Sequence, residues 1–569
     1  MVKIVLGINL GHDRSACIAV DGRPVVAIAE ERLSRRKHDI PLNDRQERYN
    51  TFPQRAVSYC LQARGLQYSD IDLVVASTTY VLDSVTGQRR TLTAADVQRG
   101  CPPLSDHPIH IAPHHLSHAA SAAPCSGFPS AAVIVVDGGG SITGFVDGVA
   151  AEFERTTLLH YRDGDLTHLV RSVGGPPAYG NSLGDFYQAI TMYLGFRAGE
   201  EGKMMGLAGY RDMDPPADTW RPLKEFVDAI DVRADGTHSV SGIFQFTADG
   251  AFHPDLISAF GEPRPHPTPD EALDRHIAAS AQWALEEAIV QLARIVHRLT
   301  GEQRLCLAGG VALNCVANAR ILRETPFLDL FVQPAAGDDG TALGNALLGA
   351  HRLDGDRQPW RFDSPYLGQS YQPAEIEQAL SEVHGKVHAR IADDLAREVA
   401  ADIAEGKIVA LFRHGAEFGP RALGHRSILC DPRQAGMKDA VNRRVKHREA
   451  FRPFAPMVRQ QDYSEFFDLR VPSPYMLLAA DVLRPDLVPA ITHVDGSARV
   501  QTVNAAQEPF LHTVIGHFAS LTGVPVLLNT SFNDQEPIVE TPQDALRCFL
   551  GTGIDVLYLE QHRITKDNM

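Results

Sequence analysis

Apolar residues at the start of the chain come in short runs broken by Gly-bearing turns. Residues 3–9 read as a strand, 15–20 as a second and 24–30 as a third, with Asp21-Gly22 as a hairpin turn. The order returns downstream: a strand at 131–136, then Asp137-Gly138-Gly139-Gly140, a strand at 142–146, the turn Asp147-Gly148 and a strand at 150–154. Two copies of strand, polar turn and β-ribbon make an internal repeat. The period then changes. Ile277, Ala281, Ala284, Ala288, Leu292, Ile295 and Leu299 recur at helical spacing and predict a helix over 270–300, with Asp270 as N-cap. It leads into a strand at 304–308 and the turn Gly309-Gly310-Val311-Ala312-Leu313-Asn314. Residues 353–373 are rich in Gly, Pro and polar residues without periodicity and predict a linker. A helix at 393–405 and strands at 407–412 and 524–528 then predict a second α/β unit. The expected division is 1–352, linker 353–373, and 374–569.

Length agrees with that division, because 569 residues exceed what one core serves. Charge narrows the partners. A formal net charge of −16 argues against nucleic acid or an anionic membrane, so any anionic substrate has to be held by local Arg and Lys. The eight cysteines form no CxxC pair and several sit in apolar runs, which predicts buried thiols in a reducing compartment. The first residues enter a strand directly, without a signal sequence's apolar run, and no apolar stretch nears the ~20 residues of a membrane span. The expectation is a soluble cytoplasmic protein.

The chemistry concentrates in a few places. His114 and His118 are four apart, so on a helix they share one face and can hold one metal ion. Asp137 closes an apolar run before three glycines, and Asp338 follows another apolar segment before Gly340. Carboxylates at such strand ends complete a mixed N/O site with open positions, which points to a catalytic metal. His115 lies three residues before His118 and competes with His114 for the ligand role. The Gly309-Gly310 turn and helix start suit a phosphate or nucleotide, although such a pair is more often only a turn. In the second half, Arg421, Arg426, Lys446, Arg448, Arg452 and Arg499 concentrate positive charge amid Gly, Pro and Phe, with Asn529 and Ser531 after the last strand. Guanidinium forks suit phosphate oxygens. Surface arginines paired with carboxylates would give the same composition.

Taken together, Gly11-His12-Asp13, Glu30-Glu31-Arg32 with Lys37-His38, His114 to Ala120, Gly199-Glu200-Glu201-Gly202-Lys203-Met204-Met205-Gly206-Leu207, Gly309 to Asn314, Asp338 to Gly340, Phe418 to Ser427, Phe451 to Pro456 and Leu528 to Phe532 resemble the NodU/CmcH-type O-carbamoyltransferases over essentially the whole chain. The repeat likewise resembles the duplicated actin-like/sugar-kinase (ASKHA) fold. The resemblance implies an α/β protein with an N-terminal ASKHA-type metal-binding domain and a C-terminal YrdC-like α/β domain. It implies that the latter makes carbamoyl-adenylate from carbamoyl phosphate and ATP with Mg2+, and that the former transfers the carbamoyl group to a hydroxylated small molecule in antibiotic tailoring. Arg421, Lys446, Arg452, Arg499, Asn529 and Ser531 would hold the phosphates and carbamoyl group. Lys203, Met205, Gly309, Gly310 and Asn314 would cradle the adenosine. Iron(II) would bind His114, His118, Asp137 and Asp338. His12 is the candidate base for the acceptor hydroxyl, its ordinary pKa lying near operating pH. Lys37 would reach the adenylate, although Arg35-Arg36-Lys37 reads equally as a solvated basic run.

Two other enzymes share parts of this plan. A hydrogenase-maturation carbamoyltransferase would add an acylphosphatase domain and Cys-rich zinc fingers, and an ASKHA-type kinase would not need the basic second half. A nucleotide-binding regulator or tRNA-modification scaffold fits the acidity poorly. The acceptor carries no readable code; loops within 158–180 and 212–260 are where it would bind. A homodimer is compatible with the sequence.

Overall fold

The computed structural model describes residues 2–39, 52–83, 86–175, 180–213, 220–247, 250–354 and 361–567. The chain forms two compact units, Met1–Ser34 with His38–Phe362 and Arg35–Lys37 with Asp363–Met569. Of the expected linker, residues 355–360 lie outside the described residues, as do 176–179, 214–219 and 248–249 of the expected acceptor loops.

The first unit is built on two sheets of like topology. In one, Arg23–Ala29, Ser15–Val20 and Ile4–Asn9 form an antiparallel meander, and Leu73–Ser77 and Ile109–Ile111 extend it in parallel. In the other, Asp165–Gly174, Val149–Arg162 and Ser130–Val136 form the meander, and Arg304–Ala308 and Asp329–Val332 extend it in parallel. The same order twice over is the duplication that the sequence repeat predicts. Leu73–Ser77 is apolar and buried throughout, as a strand covered on both faces must be.

The second copy forms the expected ribbon and extends it. Ile142–Val146 does not pair with Ser130–Val136; it pairs with the first half of Val149–Arg162, whose second half pairs with Ser130–Val136. The ribbon is one long hairpin closed at Asp147-Gly148 and interrupted at Asp137. Exposure explains the position. Phe145 and Val146 are exposed, which suits a ribbon end rather than a central strand.

Two helices fix the first unit's interior. Ala272–Thr300 starts two residues later than expected, with Glu271 rather than Asp270 as N-cap, and ends at Gly301 in the left-handed region (φ 69°). Thr341–Asp354 lies against His114–Ala122 and the first strand at glycine contacts. A Cβ on Gly344 would fall 1.9 Å from the Ser117 carbonyl oxygen, and one on Gly7 would fall 2.0 Å from that of Ala342. Asn345 ties the elements, donating to the Ile8 carbonyl and the Ser77 hydroxyl while accepting from the Ser117 hydroxyl.

The second unit is a nine-stranded mixed sheet. Its order is Val387–Ile391, His562–Lys566, Val556–Leu559, Val409–Phe412, Arg426–Cys430, Val526–Ser531, Ala455–Arg459, Ser497–Val503 and Leu478–Asp481. Apolar clusters cover both faces. Ala410 and Phe412 enter one and Val409 and Leu411 the other, as the two-residue period of a strand requires. All eight cysteines are buried free thiols. No helix among the described residues is long and apolar enough to cross a membrane.

Candidate metal centre and cationic cluster

The helix His114–Ala122 begins after Pro113, and the His114 N–H donates to the Ser141 hydroxyl. Four residues make roughly one turn, so both imidazole Nε2 atoms face the same point, 3.1 Å apart. Two carboxylates meet them. His114 Nε2 lies 3.4 Å from Asp137 Oδ2 and 3.3 Å from Asp338 Oδ1, and His118 Nε2 lies 3.8 and 3.4 Å from the same atoms. All four side chains are buried, and their ligand atoms lie within 4.8 Å of one another. Metal–ligand bonds of roughly 2.1 Å give ligand–ligand edges of about 3.0 Å in octahedral and about 3.4 Å in tetrahedral geometry. Four of the five edges fall in that range and the His118–Asp137 edge is 3.8 Å, so the donor set fits one divalent ion after a small inward shift.

Electrostatics agree. Burial lowers the His114 pKa, but Asp338 and Asp137 outweigh it and lift it to about 10. Burial and Asp338 push the Asp137 carboxyl up, yet the facing imidazoles take it down to about 2. A cage of two carboxylates and two imidazoles holds positive charge strongly. His115 is excluded from it. Its Nδ1 lies 2.7 Å from the Thr157 hydroxyl, its ring packs on Gly140, and burial lowers its pKa to about 4. A helix lets both His114 and His115 reach the face of His118, and the tertiary partners decide between them.

His12 and Asp13 stand beside the cage. His12 Nδ1 lies 3.0 Å from Asp13 Oδ2 and Nε2 lies 3.3 Å from Asp338 Oδ2, with half of the side chain exposed. Asp338 raises the His12 pKa well above its ordinary value, and Asp13 adds to that. Asp13 Oδ1 also meets His38 Nδ1 at 2.8 Å.

The expected adenosine residues take local duties. Gly309 has φ 91°, and a Cβ there would fall 2.2 Å from the Val136 carbonyl oxygen, so only glycine fits. The Gly310 N–H donates to Asp137 Oδ1 at 3.0 Å, which leaves Oδ2 for the cage. Asn314 caps the helix Cys315–Glu324 and exchanges hydrogen bonds with Gln282. Lys203 and Met205 are half-buried on the helix Glu201–Ala208, where Lys203 pairs with Glu200.

In the second unit, Lys446 Nζ is buried among oxygens. It donates to the Ser531 carbonyl and hydroxyl at 2.5 and 3.2 Å and to the Asn533 carbonyl and side-chain oxygen at 2.9 and 2.6 Å. Burial lowers its pKa well below normal, and Arg448, Arg452 and Lys37 repel it further. Arg448, which sequence reasoning noted but did not single out, is pushed down to about 9 by burial, then by Arg452, with Arg499 adding. Lys37 therefore lies with this cluster, in the second unit. Arg421 is on a loop held from within. Glu417 Oε1 accepts from the N–H groups of Leu423, His425 and Arg426 at 2.7, 2.8 and 3.2 Å. Asn529 Nδ2 donates to the Ala422 carbonyl, and Gln501 Nε2 donates to that of Leu423. Glu417 and Gln501 gave no sequence signal, because their partners are main-chain atoms brought near by the fold.

A duplicated two-sheet unit with a buried His/Asp cage, joined to a unit with crowded cations, matches one group of enzymes along its length. A family model described as the carbamoyltransferase N-terminus matches residues 4–91 and 80–347, and one described as the carbamoyltransferase C-terminus matches residues 400–566. The chain belongs to the carbamoyltransferase family. It is 35% identical over 577 residues to the nodulation protein NolNO of Sinorhizobium fredii, covering 98% of this chain and 79% of that protein. It is 31% identical over 360 residues to the 3′-hydroxymethylcephem-O-carbamoyltransferase of Amycolatopsis lactamdurans, covering 61% of this chain and 66% of that enzyme. Likeness to solved structures is low: full-length HypF aligns over 63% of this chain and 56% of its own, at 14% identity and a TM-score of 0.32.

Proposed function

We propose that this carbamoyltransferase is an ATP-dependent O-carbamoyltransferase of natural-product tailoring that divides its reaction between its two units. In the second, read as YrdC-like, carbamoyl phosphate loses phosphate to water. The carbamate left attacks the α-phosphorus of Mg2+-bound ATP, expelling pyrophosphate and forming carbamoyl-adenylate. In the first, an acceptor hydroxyl attacks the carbamoyl carbon and AMP leaves. The observation that carries this reading is the crowding of Lys37, Lys446, Arg448, Arg452 and Arg499 in a chain of net charge −16. Burial first and mutual repulsion second lower the pKa values of Lys446 and Arg448; a polyanion would relieve the repulsion, and nucleotide and acyl phosphates are such ligands.

In this reading Arg421, Arg452 and Arg499 hold phosphate oxygens, while Lys446 keeps Ser531 and Asn533 in place beside them. A divalent ion on His114, His118, Asp137 and Asp338, taken as iron(II) from the family resemblance, supplies Lewis acidity toward the adenylate. Lys203, Met205, Gly309, Gly310 and Asn314 border the adenosine. His12 is the base: Asp13 orients Nδ1, Nε2 faces the cage where the acceptor would lose its proton, and a cation on Asp338 would offset the carboxylate that raises its pKa. The relatives named for nodulation and for a cephem hydroxymethyl group support a hydroxyl acceptor.

Incubation with ATP, carbamoyl phosphate and Mg2+ tests the reading. Pyrophosphate released only when carbamoyl phosphate is present supports it, as does a gain of CONH on an added hydroxylated acceptor in mass spectra. Formation of ADP instead would mean a kinase.

A further inference from the structure

The two caging imidazoles lack the usual means of orientation. A ligating histidine ordinarily donates its second ring N–H to a neighbour, but Nδ1 of His114 and of His118 is buried with no hydrogen-bond partner among the described residues. The hold on the cage therefore falls on its carboxylates, and one side chain behind Asp137 stands out. Arg155 is completely buried, which is rare for a guanidinium.

Its contacts converge on the turn that carries Asp137. The Arg155 carbonyl accepts the Asp137 N–H at 3.4 Å, and its Nη1 donates to the Gly138 carbonyl at 2.5 Å. One residue thus grips the peptide before Asp137 and the peptide after Gly138. Nη2 donates to the Gly175 carbonyl, and Nη1 lies 3.3 Å from Asp185 Oδ2, which supplies the countercharge. The Ser182 hydroxyl donates to the Asp137 carbonyl at 3.1 Å. Glycine is required around this clamp. A Cβ on Gly174 would fall 3.1 Å from Arg155 Nε, and one on Gly184 would fall 2.7 Å from the Gly138 nitrogen. Gly310 holds Oδ1, so the clamped turn and this hydrogen bond together aim Oδ2 at the imidazoles.

We infer that Arg155 is a positioning residue of the metal centre, which sets the affinity and geometry of the cage by clamping the Asp137-Gly138 turn without touching the ion. This rests on the metal reading proposed above. Removing an outer partner of a metal ligand ordinarily weakens binding about 10–100-fold.

Co2+ titration of the full-length protein, read by calorimetry and by its visible absorption, tests the inference apart from turnover. Arg155→Lys keeps a cation but cannot span both carbonyls. It should weaken Co2+ binding about 10–100-fold and change the band intensities, with an unchanged far-ultraviolet spectrum. Asp185→Asn, which only frees the guanidinium, should give a smaller loss of the same sign and decides the matter if the lysine variant does not fold. Co2+ affinity and spectra unaltered in a folded Arg155→Lys, or in Asp185→Asn where the lysine variant fails, overturn the inference while leaving the metal reading intact. Wild-type protein that takes up no Co2+ overturns the metal reading and this inference with it.

Discussion

Among single residues, His12 carries the sharpest expectation. His12→Ala removes the base but nothing in the second unit, so carbamoyl phosphate-dependent pyrophosphate release should persist while transfer to a hydroxyl falls roughly 10²–10⁴-fold. Equal loss of both steps, measured on the same preparation, would refute the base role. His238 bears a different load. It is buried, with Nδ1 3.0 Å from the Ser172 hydroxyl, and burial lowers its pKa to about 4. Between pH 6.5 and 4 the unfolded chain binds a proton that the folded chain refuses, so stability falls as pH drops through that window. At pH 5 the loss is about 2 kcal/mol. His238→Gln should lose about that much less between pH 7 and 5 in urea unfolding. Residue identities at the cage were legible because spacing and strand-end position are written in the sequence. The four-residue spacing and the family pattern favour His114 over His115, but what holds His115 away, Thr157 and Gly140, comes from elsewhere in the chain.

At the level of elements, the duplicated sheets were readable from two recurring patterns of run and turn, and the long helix from its period. The ribbon of 142–146 with 150–154 was readable too, but not that Ile142–Val146 and Ser130–Val136 share one long partner strand, because nothing local fixes that register. Helix contact was equally hidden. Gly344 reads as an ordinary helical glycine, yet it lets Thr341–Asp354 touch His114–Ala122, and so sets the distance between Asp338 and the imidazoles. Gly344→Ala should cost about 1–3 kcal/mol by overpacking. It should also weaken Co2+ binding, because the helix that carries His114 and His118 is driven from the helix that follows the Asp338 turn. A thermal melt alongside a Co2+ titration checks both. A destabilised variant with wild-type affinity would show that the cage does not depend on this contact.

For the whole molecule, the proposed separation of chemistry between units makes a prediction that no single site does. Arg452 lies with the cations of the second unit, beside Lys446 and Arg448 in their mutual repulsion. Arg452→Ala should abolish carbamoyl phosphate-dependent pyrophosphate release, because a phosphate loses its guanidinium fork. The first unit keeps its cage and His12, so the variant should still carbamoylate an acceptor when carbamoyl-adenylate is supplied chemically. His12→Ala should show the reverse, with activation intact and supplied adenylate unused. The two variants therefore separate by which half-reaction each retains, and both assays run on full-length protein with one acceptor. If Arg452→Ala cannot use the supplied adenylate, the cationic cluster serves transfer as well as activation, and the division of labour between the units is wrong. The sequence made this experiment conceivable by its charge pattern. Only the fold showed that Lys37, far away in the chain, belongs with the same cluster, so Lys37→Ala should impair activation rather than transfer.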